Sequence, residues 1–370
     1  MGRKEKIARS IVRAIVQTNG TNRQRSTLLA RILAFFSAFF SLYQLLLRKI
    51  RPADFGNLRR NHWGVTDDDY VESFQTDDGG AEEQSLNAIG DMGFSGSTFY
   101  ATANHKYLVK SVPRHSEHSF FHEDLLTPYV QHMAAQPRSL LVHVFDFLAV
   151  SGPSLGRVLR SAPSHHIVMD NIMYGREEAK KQGEADWESW DLKPTSYFYP
   201  ERDIAGGALT SEATKDRLAD DFHDKIILSR DQAEDFFASL EVDSKLLSKY
   251  NAVDYSLFLV RMRTPQQAAA SVLPPAESAA VTTNPPPAPP SQQSWRTGVS
   301  SADGRYLFRA SILDFFWAKH KAQPKVMTLL IKLWNTLISK QGHMSITTTP
   351  DEYRERFLNM CRGIVEIREE

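Results

Sequence analysis

Three ionisable residues stand in the most apolar strand-like text of this chain, and they limit what it can fold into. Lys110 lies in Tyr107-Leu-Val-Lys110-Ser-Val112, where strand alternation puts it on the face of Leu108 and Val112. Asp254 opens onto Tyr255-Ser-Leu-Phe-Leu-Val260, and Asp314 follows Ser311-Ile-Leu313. An acid or ammonium so placed is costly unless it meets a counter-charge, binds metal, exchanges a proton or caps a turn. Gly93-Phe-Ser95-Gly96-Ser97 precedes the lysine strand, and Ser97–Val112 reads as a hairpin turning at Ala103-Asn-His105. A turn of that composition brings backbone N–H groups close to a phosphate. Glu117, at the head of the next helical stretch, is placed to pair with Lys110 and orient it.

Each of these residues also has a plainer reading. The glycines serve a structural hairpin entry, the lysine snorkels to the sheet edge, and the acids cap turns. Taken together, two acids at strand ends, a strand lysine and a Gly-rich turn suit phosphoryl transfer. One acid would ligate Mg²⁺ and the other would orient or deprotonate the attacking hydroxyl.

The remaining text mixes helical and strand periods without a regular alternation. His118–Ala135, Asp231–Lys249 and Pro350–Val365 read as helices; Leu140–Leu148, His166–Met169, Tyr255–Met262 and Tyr306–Leu313 read as strands. That order predicts an α+β fold with antiparallel sheets. Cys361 is the single cysteine among 370 residues. It excludes an intrachain disulfide and a cysteine-based zinc site, and it suits an intracellular chain. The histidines at 115, 118 and 122 lack zinc-enzyme spacing and read as surface residues. Trp187 and Trp190 read as packing residues.

Charge is balanced overall, with 44 Lys/Arg and 44 Asp/Glu, which argues against a generic nucleic-acid binder. The balance hides an asymmetry. Residues 1–60 hold 13 Lys/Arg and 2 Asp/Glu, a net of +11, whereas residues 61–90 hold 8 acids and no Lys/Arg. Sixteen mostly apolar residues lie between Arg31 and Arg48, fewer than the roughly 20 of a spanning helix. They suit either an interfacial membrane helix drawn to anionic lipid by its basic flanks or a helix docked on the protein. Residues 265–290 hold 8 of the 18 prolines and one acid, Glu277; such a stretch reads as a disordered insert.

Nine segments, in order across about residues 52–368, resemble the phosphatidylinositol phosphate kinase family. Phe55-Gly-Asn-Leu-Arg59 through Tyr70-Val-Glu-Ser73 is similar to the family's N-terminal region. Gly93–Ser97 with Phe99-Tyr100 matches the GxSGSxFY nucleotide loop, and Tyr107–Lys110 the strand-lysine motif. Glu117–Phe120 resembles the helix carrying the partner glutamate, and Val168-Met-Asp170-Asn171 the VMNN hinge. Trp190-Asp191-Leu-Lys193 resembles the start of DLKGS, Val253–Leu257 resembles MDYSL, and Ile312–Asp314 resembles IID. Ile346–Phe357 follows the closing PxxYxxRF helix.

The resemblance implies a two-lobed, kinase-like lipid phosphate kinase fold. It has a basic and apolar helical segment at 1–51, an N-lobe at 52–170, and a C-lobe at 171–370 with a Pro-rich insert at 265–299. ATP would lie between the lobes. It further implies that Lys110 holds ATP phosphates, with Glu117 fixing it and Gly93, Ser95, Gly96 and Ser97 covering them. Asp170 and Asn171 would line the adenine side. Asp254 would be the catalytic-loop aspartate and Asp314 the Mg²⁺ ligand, while Lys193 and Asp191 would lie near the transferred phosphate and lipid headgroup. The implied activity is ATP- and Mg²⁺-dependent phosphorylation of phosphatidylinositol monophosphates, with phosphatidylinositol 4-phosphate converted to the 4,5-bisphosphate. The implied setting is peripheral, at the cytosolic face of an anionic membrane such as the plasma membrane, with a homodimer as a further expectation and no nucleic-acid partner.

Departures fall on the substrate side. Pro194 replaces the glycine of DLKGS, and Tyr199 takes the place of an arginine, with Arg202 displaced nearby. KDxDF is reduced to Leu218-Ala-Asp-Asp-Phe222, and Gln323, after Lys319 and Lys321, stands where the headgroup-selecting residue is expected. These changes support a rival reading, a lipid-binding pseudokinase or scaffold of the same fold. A second rival is a kinase of soluble inositol phosphates.

Overall fold

The computed structural model describes residues 2–16, 43–75, 85–91, 97–151, 162–181, 187–194, 220, 222–263, 294–318 and 349–368. Gly93, Ser95, Gly96, Tyr199, Arg202, Lys319, Lys321, Gln323, most of the Arg31–Arg48 run and the Pro-rich stretch at 265–290 lie outside the described residues. The chain divides into two compact units: Met1–His118, Met133–Ala135 and His143–Asn171 in the first; Ser119–His132, Gln136–Val142 and Ile172–Glu370 in the second.

The first unit is built on a six-stranded antiparallel sheet. Its strands are β1 (Leu47–Ile50), β2 (Leu86–Asp91), β3 (Thr98–Thr102), β4 (Tyr107–Ser111), β5 (Val144–Val150) and β6 (His165–Asp170), in the order β1-β5-β6-β4-β3-β2. Helix α1 (Arg3–Val16) buries Ile7, Ile11, Val12 and Ile15 and exposes Arg3, Lys4, Arg9 and Arg13. The apolar residues recur at helical spacing, so one face packs and the other stays charged. Ser10 Oγ accepts the Leu45 amide at 2.9 Å, which ties α1 to the chain entering β1.

Within the 1–51 stretch the described residues hold strand as well as helix. Leu47–Ile50 is a strand, registered from Leu47 opposite Val150 to Ile50 opposite Phe147. The physical reason is that β5 would otherwise present an unpaired row of backbone groups at the sheet edge. Among the described residues no helix is long and apolar enough to cross a membrane.

Two short helices, α2 (Pro52–Asn57) and α3 (Asp67–Glu72), follow β1; a π turn over Leu58–His62 extends the first, and Thr66 caps the second. They deliver Arg59 and Tyr70 to a carboxylate buried in the sheet. Asp146 is fully buried and meets Lys49 Nζ at 3.3 Å, Arg59 Nη1 at 3.4 Å and the donating Tyr70 hydroxyl at 2.9 Å. Burial, together with the charge of Asp146, pushes the Tyr70 phenol well above its ordinary pKa, so it stays a donor.

After β4 the chain runs through α4 (His115–Ser119), a π segment (Phe120–Leu125) and α5 (Leu126–Ala135). The second unit continues with α6 (Arg176–Lys181) and a four-stranded antiparallel sheet. Its strands are β7 (Trp187–Leu192), β10 (Ser256–Arg263), β11 (Val299–Ser300) and β12 (Tyr306–Leu313), in the order β11-β12-β10-β7. Two small ladders complete it: antiparallel β9 (Ala252–Val253) with β13 (Trp317–Ala318), and parallel β8 (Ile226–Leu228) with β14 (Val365–Ile367). Helix α7 (Arg230–Lys249) starts at a capping box of Ser229 and Gln232. Helix α8 (Pro350–Gly363) starts at one of Thr349 and Glu352, with Pro350 in its first turn. The α+β class with antiparallel sheets in both units is therefore what the structure shows.

Candidate active site

Strand register assembles the site in the second unit. Leu192 pairs Leu257 and Asp191 pairs Phe258 across β7 and β10; Ser256 pairs Leu313 across β10 and β12. Asp191 and Lys193 are two residues apart, so both project from one face of the sheet while Leu192 points into the core. Asp254 lies two residues before β10 begins, and Asp314 directly follows β12, at the same end of the sheet.

Both acids adopt left-handed backbone, φ 68° at Asp254 and φ 62° at Asp314. For a non-glycine residue that region is strained by roughly 1–2 kcal/mol. Each sits between two ladders. Asp254 separates β9 from β10, and Asp314 separates β12 from β13. The kink lets the chain leave one ladder and join another, and it turns each carboxylate out of the sheet.

Lys193 Nζ donates to Asp254 Oδ1 at 2.8 Å; the lysine side chain is 12% exposed and that of Asp254 35%. Burial works to lower the pKa of Lys193. The carboxylates of Asp254, Asp314 and Asp191 more than offset it, and the net direction is upward. Asp191 shifts up from the ordinary 3.8, first because it is desolvated and then because Asp314 and Asp220 are like charges, with Lys193 and the Ser256 hydroxyl opposing. Its Oδ1 is buried without a hydrogen-bond partner among the described residues. Its amide donates to Asp220 Oδ2 at 2.7 Å. Asp220 was not singled out from sequence as a site residue; the remnant of KDxDF was the only signal that could have found it.

This arrangement fits a divalent cation of the Mg²⁺ type. Asp314 and Asp191 offer hard oxygen donors, repel one another, and leave one buried oxygen unsatisfied. Among the described residues no three His, Cys, Asp or Glu side chains form a metal cage. Mg²⁺ is commonly held by one or two carboxylates together with substrate phosphates.

The nucleotide-side candidates lie in the first unit. Lys110 is buried in β4 between Phe99 of β3 and Ile167 of β6, with its ammonium 5.5 Å from the Phe99 ring centroid. Glu117 is buried and pairs with Arg114 Nη1 at 3.1 Å. Ser97 is fully buried at the entry to β3. Asp170 Oδ1 accepts the His143 amide at 3.1 Å, and Asn171 Nδ2 donates to the His105 carbonyl at 2.8 Å. Asp170 therefore ties the end of β6 to the chain entering β5, and Asn171 ties it to the turn between β3 and β4.

The other candidates behave as packing residues. Trp187 is buried with the Arg309 guanidinium over its ring, and Arg261 lies over the Trp190 ring. His118 stacks on His165 at 3.7 Å.

The profile of the phosphatidylinositol-4-phosphate 5-kinase family matches residues 81–364. The chain belongs to this family. It is 27% identical over 189 residues to a probable phosphatidylinositol phosphate kinase of Dictyostelium discoideum, covering 48% of this chain and 22% of that protein. It is 25% identical over 228 residues to a phosphatidylinositol 4-phosphate 5-kinase of Plasmodium falciparum, covering 58% and 12%. It is 23% identical over 209 residues to the type-1 beta phosphatidylinositol 4-phosphate 5-kinase of Mus musculus, covering 54% and 33%. The matched region is thus a third or less of each of these relatives, and at this identity the chain is a divergent member.

Proposed function

We propose that this chain transfers a phosphoryl group from ATP to the inositol ring of a phosphatidylinositol monophosphate. The observation that carries the reading is the Lys193–Asp254 ion pair, set beside Asp191 and Asp314 at one end of the β7-β10-β12 sheet. Asp254 is about one-third exposed at its kink, so its carboxylate can accept the proton of an incoming hydroxyl while Lys193 holds it in place. Lys193 also offers positive charge where charge develops on the transferring group. Asp314, with Asp191, would hold Mg²⁺, which when bound neutralises phosphate charge. Lys110, with Glu117 orienting it, serves the nucleotide phosphates, and Gly93, Ser95, Gly96 and Ser97 cover them. Asp170 and Asn171 serve the adenine side.

Phosphatidylinositol 4-phosphate, giving the 4,5-bisphosphate, is the proposed preferred substrate; the names of the Plasmodium and mouse relatives support it. The setting is peripheral, on an anionic membrane at the cytosolic face. The exposed arginines and lysine of α1 support attraction to such a surface.

The test incubates the full chain with labelled ATP, Mg²⁺ and vesicles carrying the 3-, 4- or 5-monophosphate. The expected result is turnover that is fastest on the 4-phosphate. A strong preference for the 5-phosphate overturns the isomer assignment. No turnover on any vesicle, with vesicle binding intact, overturns the kinase reading in favour of a lipid-binding scaffold.

A further inference from the structure

The left-handed kink at Asp254 needs something to hold it, because a strained non-glycine residue persists only where its surroundings over-determine it. On one side Val253 is paired with Trp317, and on the other Ser256 is paired with Leu313. Tyr255 lies between the two ladders. Its carbonyl accepts the hydroxyl of Tyr353, from the first turns of α8. Its ring is packed edge-on by Tyr353, centroids 4.8 Å apart at 77°, and by Phe357, 4.9 Å apart at 72°. All three side chains are fully buried.

Tyr353 and Phe357 are four residues apart, so they share one face of α8 and close on Tyr255 together. The helix is itself fastened to α7, the element that leads into β9. Ser248 Oγ donates to Asp351, Arg354 Nε donates to Ser244 Oγ at 3.2 Å, and Arg354 also pairs with Glu241. A ring clamp and a phenol hydrogen bond thus converge on the residue next to Asp254, and three polar ties hold the helix that supplies them.

We infer that Tyr353, supported by Phe357, is a positioning residue for Asp254: the closing helix serves the site by holding the Asp254–Tyr255 kink. Tyr353 is fully buried. It acts through the Tyr255 carbonyl, and its effect belongs to orientation of the acceptor hydroxyl rather than to nucleotide binding. The inference rests on the reading of Asp254 given under the proposed function.

The test is Tyr353→Phe in the full chain, which removes one hydroxyl and keeps the ring. The expected result is a fall in kcat of about 10-fold or more, since small misplacement of a reacting group is costly, with KM for ATP unchanged. Faster amide hydrogen exchange is expected across residues 253–256. Phe357→Leu, which keeps the phenol but loosens the clamp, should give a smaller shift in the same direction. Asp254→Asn is the control. If Asp254→Asn keeps wild-type turnover, the proposed function of Asp254 fails. If it abolishes turnover while Tyr353→Phe keeps kcat, the positioning inference alone is overturned. Unchanged exchange at 253–256 in Tyr353→Phe overturns it whether or not the chain turns over substrate.

Discussion

Lys193 and Asp254 are 61 positions apart in the chain, yet the lysine ammonium donates to the aspartate carboxylate at 2.8 Å. The pair is asymmetric, with the lysine nearly buried and the aspartate about one-third exposed. Asp254 is therefore the member that can meet a substrate, and Lys193 is the member that most needs a partner. Asp254→Asn should lower turnover by about 10²–10⁴-fold, the usual scale of a lost proton acceptor, while the protein stays folded because Asp191 and Asp314 still face Lys193. Steady-state rates and a thermal melt check this. Wild-type rates would remove Asp254 from the mechanism.

Asp191 gives a pH prediction whose sign follows from its raised pKa. Its folded value lies above the ordinary 3.8, so ionising it costs stability. That cost is absent below about pH 3.8, grows as pH rises through the folded value, and is complete above it. Asp191→Asn should therefore melt higher than wild type at pH 7, with the difference shrinking as pH falls toward 4. Activity should drop in the same variant. A lower melting temperature at pH 7 would contradict the desolvated, repelled carboxylate described here.

Asp146 anchors the first unit. Removing it strands Lys49, whose side chain is 4% exposed, leaves Asp67 as the remaining carboxylate partner of the buried Arg59, and leaves the Tyr70 hydroxyl without its acceptor. Asp146→Ala should cost about 3–5 kcal/mol, the scale for breaking a buried ion pair on one side. An unfolding free energy, from denaturant titration, lowered by less than a quarter of that would show the network to be dispensable.

Helix α1 separates two effects that a truncation would mix. Its apolar face is packed and its basic face is exposed. Arg9→Glu with Arg13→Glu should leave the melting temperature unchanged and weaken sedimentation with anionic vesicles, most clearly at low salt. Ile11→Asp should instead destabilise the fold. Unaltered vesicle binding after the double charge reversal would mean that this face does not meet the membrane.

Much of the scaffold was legible because its causes are local. Strand alternation marked β4, β6, β10 and β12, and the helical readings of Asp231–Lys249 and Pro350–Val365 coincide with α7 and α8 to within two residues. Lys110, Asp254 and Asp314 stood out because a charge in apolar text demands an explanation, and the nine motifs put Asp191 and Lys193 beside them. Partner choice is another matter. That Asp146 gathers Lys49, Arg59 and Tyr70, that Asp220 takes the Asp191 amide, and that Leu47–Ile50 leaves a helical-looking run to become a strand all depend on pairings across dozens of residues. The left-handed conformations of Asp254 and Asp314 have the same origin. Local propensity disfavours them, and only two ladders meeting at a kink, with Tyr353 bound to the adjoining carbonyl, make them the state in which the most backbone groups are satisfied.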